Sequence, residues 1–416
     1  MPSLGGCRAV LKTPVTVLFA LVLLVLTAGC WDRVEIDERG FVIGVAIDVP
    51  KTSQKAEQRK AEGEKRSRGK ARYAVTYQFV VPGKLQSAGG SKSTASGQAY
   101  LNLTSEGDAL FDIDKQLAGR ASRYPYYEHL KVIAISDQVA RNDHEFARVL
   151  DFFLREPEMR RSAKVFVTAG KARNILNVEP SNEKLPVMYI NSVSENSVRN
   201  ASILPETKLG DIHEHLLGQR SFVVQRMMSA EDRHEVKLEG AAVIRGENSQ
   251  MAGALGPEET EGLNLITGKF RTGNVKAEVK NKLVVCDLTM KKRTIAADVS
   301  DPQHIRFRIR IEAEGAIGES YAQSLDLLKR RSVDRVEQAA EREIVRMTKA
   351  VIRKLQRDFQ ADAMGLGANL QQNHYKVWKQ IGDDWEKGKR YFTQCEIQVE
   401  PRVIIRRTGT VDRSNR

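Results

Sequence analysis

Residues 331–355 read RSVDRVEQAAEREIVRMTKAVIRKL. Val333, Val336, Ala340, Ile344, Met347, Val351 and Leu355 step by 3, 4, 4, 3, 4 and 4, which lays one apolar stripe along a single long helix. The opposite face carries Arg335, Glu337, Arg342, Arg346 and Lys349, so the stripe is expected to pack inward while this side meets water or a partner. Gly365 and Gly367 follow, glycine just past a helix being a common stop. KNKLVVCDLTMKK (280–292) and IRFRIRIEAEG (305–315) alternate as strands, and RYFTQCEIQVEPRVIIRRTG (390–409) reads as a closing pair. The expected fold class is therefore α+β, with a long amphipathic helix packed on an antiparallel sheet in a C-terminal domain, 274–416.

Upstream, FVIGVAIDV (41–49) is a buried strand and RYAVTYQFVV (72–81) an alternating, half-buried one, together a hairpin with an insertion at 51–72. That insertion holds nine basic and three acidic residues with no aromatic, Leu, Ile or Val, so it is read as a disordered loop. A second flexible stretch, 82–97, precedes a strand at 100–103 and a helix at about 108–117. LKVIAIS (130–136) and AKVFVTAG (163–170) are strands around a helix in FARVLDFFLREPEMRR (146–161) that Pro157 stops. These make a mixed α/β domain, 30–202. A small middle domain, 203–273, opens with a helix in LPETKLGDIHEHLL (204–217) and continues through strand-like LEGAAVIRG (238–246) and a glycine-rich turn at 251–256.

The chain has a net charge of +13 and 416 residues, a length that allows two or three domains, each able to bury a core. Residues 1–29 combine Arg8 and Lys12 with an uncharged run, VTVLFALVLLVL (15–26), and the exit LTAGC. That is a signal peptide, its apolar run too short for a spanning helix of about 20 residues. Ala28 and Gly29 before Cys30 form a lipobox, with Thr27 where leucine would be stronger, so Cys30 is the expected lipidation site and mature N-terminus. The mature chain keeps 64 basic against 53 acidic residues, a surplus of +11 that suits anionic membranes or acidic partners. No nucleic-acid motif accompanies it. Cys286 and Cys395 lie in strand-like runs; export permits a disulfide between them and burial permits two free thiols.

Taken in order, GCWDR with FVIGVAID, HLKVIAISDQVA, LDFFLREPEMRR, LEGAAVIRG with ETEGLN, DAMGLGANL, the 378–385 stretch between two tryptophans, and the last strands with Thr408 and Gly409 resemble the Ger(x)C family. The match covers nearly the whole mature chain. The resemblance implies three mixed α/β domains tethered by lipid to the outer face of a spore's inner membrane. It implies a nutrient germinant receptor C subunit, partnered by a multi-pass A subunit and a transporter-like B subunit, that helps initiate germination. Two departures are the longer basic insertion and Ala363–Met364, where bulkier or differently ordered apolar residues are usual. The family carries no catalytic, cofactor or metal residues onto this sequence, and an enzyme is not expected.

The remaining candidates have plainer readings. His213 and His215 stand two apart on a helix and point about 200° from each other, so they do not share an ion. GGSKST around Lys92 has serine before the lysine and no helix after it, unlike a phosphate loop. Asp383, Asp384 and Glu386 have no calcium-loop register and read as a turn or a helix start. Arg155, Arg160 and Arg161 either grip an acidic partner or complement a helix C-terminus. A solute-binding lipoprotein of an importer would need two doubly wound lobes around a cleft, which the β-rich C-terminal third does not suggest.

Overall fold

The computed structural model describes residues 39–50, 72–85, 97–230, 234–322 and 326–407. Cys30, the leader, Lys92 and all of the basic insertion but Arg72 lie outside the described residues. Thirteen strands are described in chain order: β1 (Arg39–Asp48), β2 (Tyr73–Val80), β3 (Tyr100–Gly107), β4 (Tyr124–Tyr126), β5 (Val132–Ser136), β6 (Lys164–Thr168), β7 (Phe222–Ser229), β8 (Val236–Ile244), β9 (Met251–Leu255), β10 (Thr272–Val279), β11 (Lys282–Asp298), β12 (Arg306–Ser320) and β13 (Glu396–Arg407). They form a nine-stranded sheet in the order β3-β2-β1-β5-β6-β7-β8-β9, with β4 beside β1, and a four-stranded sheet in the order β10-β11-β12-β13.

The hairpin of β1 and β2 forms as read, Val45 opposite Tyr77. Its second strand is buried on both faces rather than one. Tyr73, Val75, Tyr77 and Phe79 enter one core, while Gln78 on the other face donates to the Leu176 carbonyl at 2.9 Å and accepts from the Val187 N–H at 3.2 Å. Helices cover both sides of the strand, so the polar alternate residues are buried with their hydrogen bonds satisfied. The neighbouring pairs β1–β5, β5–β6 and β6–β7 are parallel, the last two joined by helical crossovers, and β7–β8 and β8–β9 are antiparallel.

Residues 203–273 contribute no sheet of their own among the described residues: β7 to β9 extend the first sheet. β8 links two cores, with Ala242 and Ile244 packed into the core of the first sheet and Ala241 and Val243 into that of the second. MAGAL at 251–255, read as a turn, is a strand. Gly253 belongs there because a Cβ would stand 2.3 Å from a Phe359 ring carbon.

The periodic segment is a helix, Arg330–Arg353, and all seven stripe residues are buried. Each fully buried aliphatic side chain contributes about 1.5–3 kcal/mol relative to exposure, which holds this helix to its sheet. It ends in a single π turn at Lys354–Phe359 and at Gln360 in the left-handed region (φ 51°), ahead of the glycines. Gly365 instead caps the next helix, Leu366–Asn373. β10, β11 and β12 are antiparallel, but β13 runs parallel to β12, Arg306 opposite Glu396. The helix carries the chain across the sheet face, and a crossover of that kind returns the next strand in the same direction. The closing pair of strands is thus one strand, preceded by a short helix, Tyr391–Gln394. Pro401 sits in it without breaking the ladder because β13 is an edge.

Candidate functional site at the junction of the two sheets

The segment DAMGLG (362–367) folds as a turn around one buried carboxylate. Asp362 is 6% exposed and accepts the N–H groups of Leu366 at 3.1 Å and Gly367 at 2.6 Å, and the indole N–H of Trp385 at 2.9 Å. Burial pushes its pKa up, opposed by these donors. Gly367 lets the turn close on the indole: a Cβ there would stand 2.6 Å from Trp385 Nε1. Trp385 meets Trp378, Phe392 and Phe307 at ring separations of 5.9, 6.0 and 6.3 Å, so the turn is clamped to the second sheet.

Glu386 joins the turn to the first sheet. It accepts the Asp362 backbone N–H and hydrogen-bonds Ser221, the residue before β7. Burial, and then the nearby Asp362, push its carboxyl up to about 7. Ser221 also accepts the Gly246 N–H at 2.9 Å, and Arg245 donates to the Phe359 carbonyl at 3.1 Å. Arg220 to Gln371 at 2.7 Å and Lys387 to Gln219 at 3.2 Å complete the rim. Every described Asp362 and Glu386 contact fixes backbone or a neighbouring side chain, and the arrangement serves to hold two sheets in one orientation. Glu386, expected with Asp383 and Asp384 in a turn or helix start, is tied instead into the junction. Asp383 and Asp384 do lie in such a turn, a 3₁₀ segment at Gly382–Asp384.

A shallow groove lies between the long helix and β13, lined by Gln338, Glu341, Arg342, Val345 and Pro401. Arg342 lines this groove, and Arg342 and Arg346 are both exposed on the helix as expected. Arg346 is held between Glu343 and Glu258, at 2.7 and 2.8 Å. Glu337, expected on the charged face, is buried at 8% exposure. It pairs with Arg330 at 2.8 Å and accepts the Ile405 N–H at 2.8 Å. The stripe is wider than its apolar members because the helix presses on a strand edge whose N–H groups need acceptors.

The histidine pair diverges: His213 meets Arg161 at 2.8 Å while the His215 ring stacks on Phe222 at 5.1 Å. Burial, then Lys269 and Arg220, lower the His215 pKa. Arg155 pairs with Asp151 at 2.7 Å and Arg160 with Glu128 at 2.8 Å, so all three arginines have partners within the chain. His129 packs near Phe41 and Tyr126, at 5.5 and 6.1 Å between ring centres. Cys286 and Cys395 are both buried free thiols, and burial pushes each up to about 12. Among the described residues no three His, Cys, Asp or Glu side chains converge as a metal site, and no helix is long and apolar enough to cross a membrane.

Two family models match the chain in succession. "Spore germination protein N-terminal domain" covers residues 32–227, and "Spore germination B3/ GerAC like, C-terminal" covers 239–409. The boundary between them falls between β7 and β8, inside the nine-stranded sheet. Spore germination protein YndF of Bacillus subtilis is 31% identical over 408 residues, spanning 96% of this chain and 98% of that protein. Spore germination protein B3 of the same organism is 23% identical over 94% of this chain and 96% of its own length. The crystal structure of the GerBC protein superposes with a TM-score of 0.57 at 18% identity, covering 87% of this chain and 97% of that one, and so shares the mixed α+β fold. End-to-end similarity in sequence, carried by both halves, makes this chain a member of the Ger(x)C family of spore germination proteins.

Proposed function

We propose that the protein is the C subunit of a spore nutrient germinant receptor, anchored by lipid on Cys30 to the outer face of the spore's inner membrane. It works by contact with the receptor's A and B membrane subunits and by helping initiate germination in response to nutrient. The observation that carries this reading is the similarity to spore germination proteins B3 and A3 along at least 94% of the chain. A lipobox directly ahead of the matched region supports the anchor, since acyl chains supply the lasting attachment that no described helix provides. Two rigidly joined sheets suit a subunit that presents fixed surfaces to partners, and the charged face of the long helix with Arg342 and Arg346 is the surface we assign to that contact.

The test is affinity capture from spore membranes together with carbonate extraction of a Cys30→Ala variant. Recovery of one multi-pass and one transporter-like protein supports the receptor reading, whereas recovery of an ATPase points to an importer. Cys30→Ala should leave the membrane fraction or remain uncleaved. Retention in the membrane with the leader removed would mean a second anchor.

A further inference from the structure

β11 runs from Lys282 to Asp298, but β10 pairs with it only as far as Thr289, which stands opposite Thr272. The last backbone bond on that side joins the Met290 N–H to the Arg271 carbonyl at 3.1 Å. A bulge between Met290 and Lys292 follows, and from Lys292 to Asp298 the strand pairs with β12 alone among the described residues. That open edge is longer than an ordinary strand of about five or six residues. The opposite edge of the same sheet is closed, since Glu337 accepts an outward N–H of β13. Natural proteins blunt open edges with charges, bulges or proline. Here the bulge, Lys291, Lys292 and Arg293 guard only the start, whereas Thr294–Ala297 has no charge, glycine or proline and includes β-branched Thr294 and Ile295. Side chains alternate along this stretch, with Lys292, Thr294, Ala296 and Asp298 exposed and Arg293, Ile295 and Ala297 half-buried.

We propose that this edge pairs with a second copy of the chain, the two β11 strands lying antiparallel about a two-fold axis at Ile295, so that two four-stranded sheets become one of eight. Residues directly opposite in an antiparallel pair share a face of the sheet, so the axis passes at a residue rather than between two. An axis at Ile295 sets Thr294 opposite Ala296, Arg293 opposite Ala297, and Lys292 opposite the partner's Asp298, the last pair occurring twice. An axis at Thr294 would put Lys292 opposite Ala296, one at Ala296 would put Asp298 opposite Thr294, and one at Arg293 would bring two guanidinium groups together. The charges therefore match in one register. Lys292 is free to enter it, having no hydrogen bond or ion pair among the described residues. Asp298 accepts the Ser300 N–H at 3.1 Å and the Ser300 hydroxyl at 2.7 Å, both on Oδ1, which leaves Oδ2 for the lysine. A strand from another protein would need an acid and a base at this same spacing, and this chain already carries both. The contact is isologous and uses both open edges, and Glu337 and Glu341 close β13, so association stops at two.

Sedimentation equilibrium of the full-length chain in density-matched detergent tests the proposal. The unaltered protein should show a reversible equilibrium between monomer and dimer with no larger species. Lys292→Asp sets carboxylate against carboxylate at both ends of the contact and should weaken dimerisation by about tenfold or more, and combining it with Asp298→Lys should restore it. Both side chains are exposed, so melting temperatures, measured in parallel, should change little. Disulfide trapping reads the register. An equal mixture of Thr294→Cys and Ala296→Cys chains should cross-link, whereas either variant alone should not, because like positions are then displaced along the strands beyond the reach of about 7 Å between Cα atoms. The native Cys286 and Cys395 are buried and do not compete. A protein that stays monomeric at every concentration, dimerisation indifferent to Lys292→Asp, an exchange of charges that fails to restore it, or cross-linking of either cysteine variant alone as readily as of the mixture would each overturn the proposal. The first measurement uses the unaltered protein, so it decides the matter even where a variant does not fold.

Discussion

Glu337 on the long helix accepts the backbone N–H of Ile405 on β13 at 2.8 Å. Glu341, one turn on, does the same for Val403 at 3.0 Å. β13 is the outer strand of its sheet, and the outward N–H groups of such a strand invite pairing with another chain. Two glutamates spaced to match alternate strand residues close that edge with side chains from a helix.

Glu337→Ala should therefore cost about 1–3 kcal/mol, because it orphans the buried Ile405 N–H and leaves Arg330 with Asp334 as its remaining carboxylate. Glu341→Ala should cost less, since Glu341 is only partly buried. The double variant should also self-associate. Thermal melts measure the first effect and light scattering against concentration the second; a monodisperse double variant would show that the glutamates do not protect the edge.

The same helix separates core from surface. Ile344 is fully buried, and Ile344→Asp should place an unpaired charge in the core at a cost of several kcal/mol, enough to unfold the C-terminal unit. Arg342→Glu with Arg346→Glu should change the melt little, because exposed ion pairs are worth about 0–1 kcal/mol, although Arg346 loses its bonds to Glu258 and Glu343. Co-purification from spores then reports on the contact surface: weakened assembly with an unchanged melt places a partner on this face, and intact assembly removes it from the proposed interface.

The legibility of this chain followed the range of the forces involved. A period of 3.6 over seven residues is a local signal, and the stripe from Val333 to Leu355 is buried throughout. The strand direction of β13 was not legible, since it depends on where the preceding helix delivers the chain. The inward turn of Glu337 and the strand at Met251–Leu255 depend on partners far away in sequence, Ile405 for the one and the Phe359 ring for the other. Arg72 illustrates the same point at the end of the basic insertion: its N–H donates to the Gly107 carbonyl of β3 at 2.7 Å and its guanidinium lies 3.7 Å from Glu145, so it continues the pairing of β2 with β3. At the junction the motif DAMGLG was visible as a resemblance, but nothing in IGDDWEKG distinguishes Glu386, half-buried against Asp362 and Ser221, from Asp383 and Asp384 beside it.

That burial leads to the last prediction, which concerns pH. A glutamate in an unfolded chain titrates near about 4.3, whereas Glu386 in the folded protein is pushed up to about 7. Between those values the native protein holds a proton that the unfolded chain has released. Its contribution is thus fully present below the unfolded value, falls as pH rises through that window, and is lost above the folded value. Glu261, also up at about 7, adds a slope of the same sign, and His215, lowered by burial, adds one of opposite sign. Glu386→Gln isolates the first of these, because the amide still accepts from the Asp362 N–H and still reaches Ser221 but cannot ionise. Compared with the unaltered protein, Glu386→Gln should melt at a higher temperature at pH 8 and show a smaller loss of stability between pH 5 and pH 8. The shift itself corresponds to on the order of 3 kcal/mol at pH 8, a difference that melts at the two pH values resolve. Parallel pH profiles for the two proteins would mean that Glu386 is not a proton-holding group at the junction, and that the two sheets are joined by packing around Trp385 and by the Arg245–Phe359 bond instead.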